Sequence, residues 1–130
     1  MADHPNVGLM RGGYDAFAQG DMDALSKLFA DDVVWHLSGD SPVAGDYKGM
    51  EATFQYFGQL MELSGGTFKA EPHDIVGNAE HVVGMHHNSG TRDGKTLDEN
   101  EVLVFHMHDG KVVEAWEIHT DAGAWDKFWS

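Results

Sequence analysis

Val7, Met10, Tyr14 and Phe17 recur at three- and four-residue steps, which puts them on one face of an amphipathic helix. The spacing predicts a helix from about Asn6 to Gln19 that stops at Gly20. Asp21 is a plausible N-cap for a short second helix with Leu25, Leu28 and Phe29 on its apolar side. Asp31-Asp32 then breaks the pattern. Val33-Val34-Trp35-His36-Leu37 is β-branched and aromatic, which predicts a strand. Ser38 to Gly49 contains Gly39, Pro42, Gly45 and Gly49 and reads as a loop. Met50, Phe54, Phe57, Leu60 and Met61 return to helical spacing, ending before Gly65-Gly66.

The second half alternates. Thr67 to Val76 predicts a strand weakened by Pro72, and a turn near Gly77-Asn78 leads to a strand over His81–His87. Asp93-Gly94 and Asp109-Gly110 are hairpin signals on either side of a long strand, Leu97 to His108. A last strand runs from Lys111 to Thr120. The tail Trp125-Asp126-Lys127-Phe128-Trp129 is too aromatic for water, so it should pack back on the domain or on a partner. Three helices followed by long antiparallel strands give an α+β layout with helices covering a curved sheet.

Regular alternation from a two-residue Asp109-Gly110 turn sorts the last strands into faces. One face would carry Asn100, Val102, Val104 and His106 opposite Val113, Ala115, Glu117 and His119. The other would carry Leu103, Phe105, Met107, Val112, Trp116 and Ile118. Both are largely apolar, so one should meet the helices and the other a second subunit. The face with His106, Glu117 and His119 mixes polar groups into an apolar wall, as ligand pockets do.

Length and charge narrow the classes. The chain has 130 residues, one domain's worth, so 1–130 reads as a single domain. Eight basic against 22 acidic residues, a formal net charge of −14, exclude a nucleic-acid binder and disfavour an anionic membrane surface. With no cysteine there is no disulfide, thiolate nucleophile or cysteine-based metal site. No apolar run reaches membrane-spanning length, and the first residues lack a secretion signal, so a cytoplasmic protein is expected. Nine histidines with seven Phe, four Trp and three Tyr point instead to a pocket or a crowded core.

The run Leu28-Phe29-Ala30-Asp31-Asp32-Val33-Val34-Trp35-His36, then Gly45-Asp46-Tyr47-Lys48-Gly49, then Asp109-Gly110-Lys111-Val112-Val113-Glu114-Ala115-Trp116-Glu117, resembles the SnoaL-like branch of the nuclear transport factor 2 (NTF2)-like superfamily, to which ketosteroid isomerases also belong. The likeness spans about Asn6 to Asp121. It implies an α+β cone: three N-terminal helices packed on a strongly curved antiparallel or mixed sheet that encloses a pocket. It also implies a homodimer through the outer sheet face, here Leu103, Phe105, Met107 and Trp116, and neither cofactor nor metal. Relatives include isomerases, cyclases and lyases but also modules that only bind, so fold alone does not set function. The positions of the two ketosteroid isomerase acids fall at Leu37 and near Val102, which argues against that activity. The acid of SnoaL-type cyclases falls at Glu117.

Glu117 is therefore the leading catalytic candidate, since a carboxylate facing an apolar cavity is costly unless paired or used. The bland alternative is a Glu bonded to His106 or His119 in a satisfied core. His106, His119 and Tyr14 are expected to help as donors or proton shuttles. His106, His108, His119 and Glu117 could hold a metal by ligand type, but the simpler reading has none. Trp35, Leu37, Phe54, Phe57, His87, Val102, Val104 and Ala115 are expected to line the pocket, and a one-residue slip would exchange His87 for His86. The acidic runs Asp31-Asp32 and Asp98-Glu99 read as solvated turns and edges. The expectation is a small-molecule enzyme that moves a proton on an apolar cyclic or polyketide-like substrate. The alternative is a non-catalytic module that binds a small hydrophobic molecule.

Overall fold

The computed structural model describes residues 3–130. Helix α1 (Pro5–Gln19) starts where the His4 side chain accepts from the Asn6 N–H and ends at Gly20, which adopts a left-handed conformation at φ 69°. Helix α2 (Met22–Leu28) is capped by Asp21, whose carboxylate accepts from Ala24 N–H. Strand β1 (Phe29–Leu37), strand β2 (Gly45–Lys48) and helix α3 (Met50–Leu63) follow. Strands β3 (Lys69–Gly77), β4 (His81–Arg92), β5 (Lys95–His108) and β6 (Lys111–His119) precede a closing helix, α4 (Ala122–Trp129).

The six strands form one sheet in the order β2-β1-β6-β5-β4-β3, antiparallel except where β1 runs parallel to β6. Both Asp-Gly turns are two-residue hairpins in which each central residue has positive φ, the backbone such turns require. Helices α1 and α3 cover the concave face, and the core lies between them and the sheet. The α+β layout is the one the sequence pattern predicted, and the cone is the one the resemblance implied.

Three boundaries differ from expectation. The stretch read as a loop contains β2, which pairs its four residues with Val34–Leu37. β1 begins at Phe29 rather than Val33, because Phe29 leaves the helix to bury its ring beside Trp35 and Phe57. β4 continues past His87 to Arg92, since every residue of it pairs with β5. The aromatic tail packs back on the chain as α4. Trp125, Phe128 and Trp129 are buried, the two tryptophans against Phe68. Arg92 and Lys95, at the β4–β5 hairpin, donate to the carbonyls of Phe128, Lys127 and Ser130 and so hold the end of the helix.

The largest correction concerns the sheet faces. Met107 pairs with Val112 as regular alternation demands, but His106 pairs with Glu114, leaving Val113 as an extra residue in β6. This β-bulge shifts the register by one, and a shift of one exchanges the two faces. Leu103, Phe105 and Met107 are thus buried inside rather than on an outer dimer surface. His106, Val102 and Val104 lie outside. Trp116 remains outside as expected, with its ring between His36 and His106. His81 packs edge-on against His106 in the same row.

Candidate active site

Alternate residues of β5, from Leu97 through Glu99, Glu101, Leu103 and Phe105 to Met107, all point into the concave side. The register places His86 of β4 opposite Glu101, and Glu101 opposite His119 of β6. One row of three titratable side chains therefore crosses three strands. Asn88 sits opposite Glu99 and Glu117 sits opposite Leu103, which completes the polar patch.

Glu117 is held on both oxygens. Its Oε2 accepts from the Trp35 indole at 2.7 Å and from the Tyr56 hydroxyl at 2.6 Å. Its Oε1 meets His119 Nε2 at 3.0 Å. His119 Nδ1 lies 2.7 Å from Glu99 Oε1, and its Nε2 is 3.6 Å from Glu101 Oε1. The Asn88 amide donates to Glu99 at 2.7 Å and to Glu101 at 2.8 Å. His86 Nε2 faces Glu101 at 3.2 Å and Asn88 at 3.0 Å, and its Nδ1 meets the Tyr14 hydroxyl at 2.7 Å. Gly84 makes room for this last contact, since a Cβ there would fall 2.5 Å from the Tyr14 oxygen. Nine side chains thus form one buried network of the kind that is stable only when its members satisfy one another.

The environments drive two carboxyls apart. Burial pushes Glu101 up to about 7, reinforced by the Glu117 charge, while His86 and His119 pull the other way. Burial would also raise Glu117, but the bonds from His119, Tyr56 and Trp35 outweigh it and hold this carboxyl below its ordinary value. His119 loses proton affinity to burial, yet Glu117 and Glu99 on its two nitrogens more than compensate and raise it to about 10. Burial raises Tyr14 and Tyr56, so both hydroxyls stay protonated.

Glu101, Glu117, Tyr14 and His86 open onto a cavity of about 70 Å³ whose other walls are apolar, among them Phe29, Trp35, Phe57, Leu103, Phe105 and Trp125. Of the residues expected on the wall, Tyr14, Trp35, Phe57 and Glu117 line it, and His119 sits directly behind it. Leu37 and Ala115 are buried but do not line the cavity, and Phe54 faces a separate groove beside α1 and α3. His106, Val102 and Val104 are on the other side of the sheet, for the reason given by the bulge. His87 also points out, toward Asp98 and Asn100, and His86 takes the inward place.

Tyr56, Asn88, Glu99 and Glu101 are members that sequence reasoning did not single out, and His86 entered it only as the alternative to His87. Asp98-Glu99 is only half solvated, because Glu99 is buried and its neighbour is exposed. The period of two running from Leu97 to Met107 carries the signal for Glu99 and Glu101, masked because glutamates occupy apolar phases. Glu99, Glu101 and His119 each offer an atom that could ligate a metal, all within 4.8 Å of one another. Both His119 nitrogens are already engaged by carboxylates, so the imidazolium itself stands where a cation would.

The family model of the SnoaL-like domain matches residues 10–115. An uncharacterized protein of Mycobacterium tuberculosis (strain ATCC 25618 / H37Rv) is 28% identical over 131 residues, covering 100% of both chains. Among solved structures, Bal32a, from a soil-derived mobile gene cassette, is 41% identical with a TM-score of 0.93 and covers 96% of each chain. IdmH from Streptomyces antibioticus, a candidate polyketide cyclase, shares the fold at 24% identity and a TM-score of 0.75, over 91% of this chain and 94% of its own. No helix among the described residues is long and apolar enough to cross a membrane.

Proposed function

The chain belongs to the SnoaL-like domain family, and on that premise we propose that it is a small-molecule enzyme of the isomerase or cyclase type. It moves a proton on an apolar, enolisable ring compound and needs no cofactor. The observation that carries this reading is a pair of carboxyls, Glu101 and Glu117, on the wall of one apolar cavity with opposed proton affinities. Such a pair is how one site supplies both an acid and a base near neutrality.

Glu117, ionised, takes a proton from the carbon beside the substrate carbonyl. Glu101, still protonated, gives its proton to the oxygen as the enol forms, so no free enolate charge builds up in the cavity. Return of the first proton to another carbon, and of the second to Glu101, completes an isomerisation with both groups restored. His119 lies within reach of both carboxyls and holds them in register. Tyr14 fixes His86, which fixes Glu101.

The test is hydrogen–deuterium exchange on a panel of small enolisable ketones in heavy water, followed by NMR. The wild type should catalyse exchange beside the carbonyl, and Glu117→Gln should abolish it while keeping its circular dichroism and melting transition. Full exchange in that variant sinks the assignment.

A further inference from the structure

The donors around the cavity can be counted one by one. Trp35 and Tyr56 are both committed to Glu117. His119 is bracketed by Glu117 and Glu99, and His86 by Tyr14 on one nitrogen and Asn88 and Glu101 on the other. No lysine or arginine lines the cavity among the described residues. Two donors are left for a visitor. One is the proton of Glu101. The other is the indole N–H of Trp125, a cavity-lining residue whose Nε1 is buried with no partner. Trp129 Nε1 is also unpartnered, but Trp129 does not line the cavity.

A buried indole N–H without an acceptor is a standing cost that a ligand oxygen removes. The Trp125 ring is also held in place. It stacks on His119 at 4.1 Å between centroids, and α4 is tied down by Arg92 and Lys95. The same region disfavours anions, because its wall carries the Glu117 charge and, among the described residues, no lysine or arginine. A cavity of about 70 Å³, on the order of five water-sized volumes, limits the visitor to a small molecule.

We propose that α4 supplies Trp125 as a ligand-binding residue, and that the cavity takes an uncharged single-ring carbonyl compound whose oxygen accepts from Trp125 Nε1, while carboxylates of the same shape are refused. This rests on the reading of the cavity as a substrate site and names its substrate class. Trp125 lies on the C-terminal helix, beyond the stretch matched by the family model.

Acetophenone, benzoate and toluene test the proposal as three probes of one shape. Binding is measured by calorimetry and by ligand-observed NMR on wild type and on Trp125→Phe, which keeps a ring and deletes the N–H. Wild type should bind acetophenone, and benzoate about a hundredfold more weakly, the effect of one like charge in a poorly solvated site. Trp125→Phe should bind acetophenone about tenfold more weakly and toluene no more weakly than wild type does. The proposal is overturned by benzoate binding as well as acetophenone, by acetophenone affinity unchanged in Trp125→Phe, by equal losses for acetophenone and toluene, or by no binding of acetophenone to wild type. None of these outcomes decides whether Glu117 moves a proton, which the exchange assay reads separately.

Discussion

Trp35 on β1 and Glu117 on β6 lie on adjacent parallel strands, and the indole of one donates to the carboxylate of the other at 2.7 Å. The bond spans 82 residues of sequence and ties β1 to the central strand β6. Trp35→Phe keeps the ring among Phe29, Phe57 and Phe105 but removes the donor. It should cost about 1–2 kcal/mol of stability in urea denaturation. It should also raise the proton affinity of Glu117, seen as an upward shift in a carboxyl NMR titration.

Proton donation by Glu101 should fade as pH rises through about 7, where it ionises. The pH profile of ketone exchange should therefore have a descending limb near 7 in wild type. In Glu101→Gln that limb should vanish and exchange should drop on the order of a hundredfold, the usual worth of a positioned acid. An unchanged limb in the variant would assign it to another group.

Stability should fall as pH is raised from 6 to 10. The folded chain keeps the His119 proton up to about 10, whereas an unfolded histidine sheds it near its ordinary 6.5. That contribution is full below 6.5 and is lost as pH rises through 10. Glu101, also raised on folding, acts in the same direction between 4.5 and about 7. Glu117, lowered on folding, acts in the opposite direction and only in acid: its contribution is present above 4.5 and lost below. Melting temperatures across this range should decline for wild type, and the decline above pH 7 should flatten in His119→Gln.

Gly84→Ala should behave like a Tyr14 variant. The new methyl would meet the buried Tyr14 hydroxyl and ring at 2.5–3.1 Å, so the ring must move off His86. A loss of about 1–3 kcal/mol in denaturation is expected from overpacking. Exchange should fall to the level of Tyr14→Phe. Wild-type exchange in Gly84→Ala would show that the Tyr14–His86 bond is dispensable.

The bulge at Val113 sets which of two adjacent apolar residues is core. Phe105→Ala should cost about 3–5 kcal/mol, as a buried ring does, and Val104→Ala much less. Chemical denaturation of the two variants compares the faces directly.

Local chemistry was enough to specify most of the elements, though not β2, which was read as loop. Helical spacing of Val7, Met10, Tyr14 and Phe17, the Asp21 cap, and two Asp-Gly turns depend only on residues a few positions apart, so α1, α2, α3 and the β4–β5–β6 meander were legible. The resemblance carried the cone, and with it the inward place of Trp35 and Glu117. The remainder of the site was not legible, because period-2 reasoning carries an error of one residue without correction. A single unpaired Val113 moved His106 out of the site and brought Glu101 and Phe105 in.

The sequence by itself determined where most chain segments become helix or strand and which broad architecture buries them, since those follow from local propensity and hydrophobic period; β2 exists only through its pairing with β1. It also determined that the charge is strongly acidic and that no cysteine chemistry is available. Tertiary structure alone decided which acids are buried and in what state. Glu99, Glu101 and Glu117 differ from the solvated Asp98 only in their neighbours: His86, Asn88 and His119, brought from three strands into reach of one another. A carboxyl's proton affinity is set by desolvation and by charges a few ångströms away, and those distances exist only after the strands have paired.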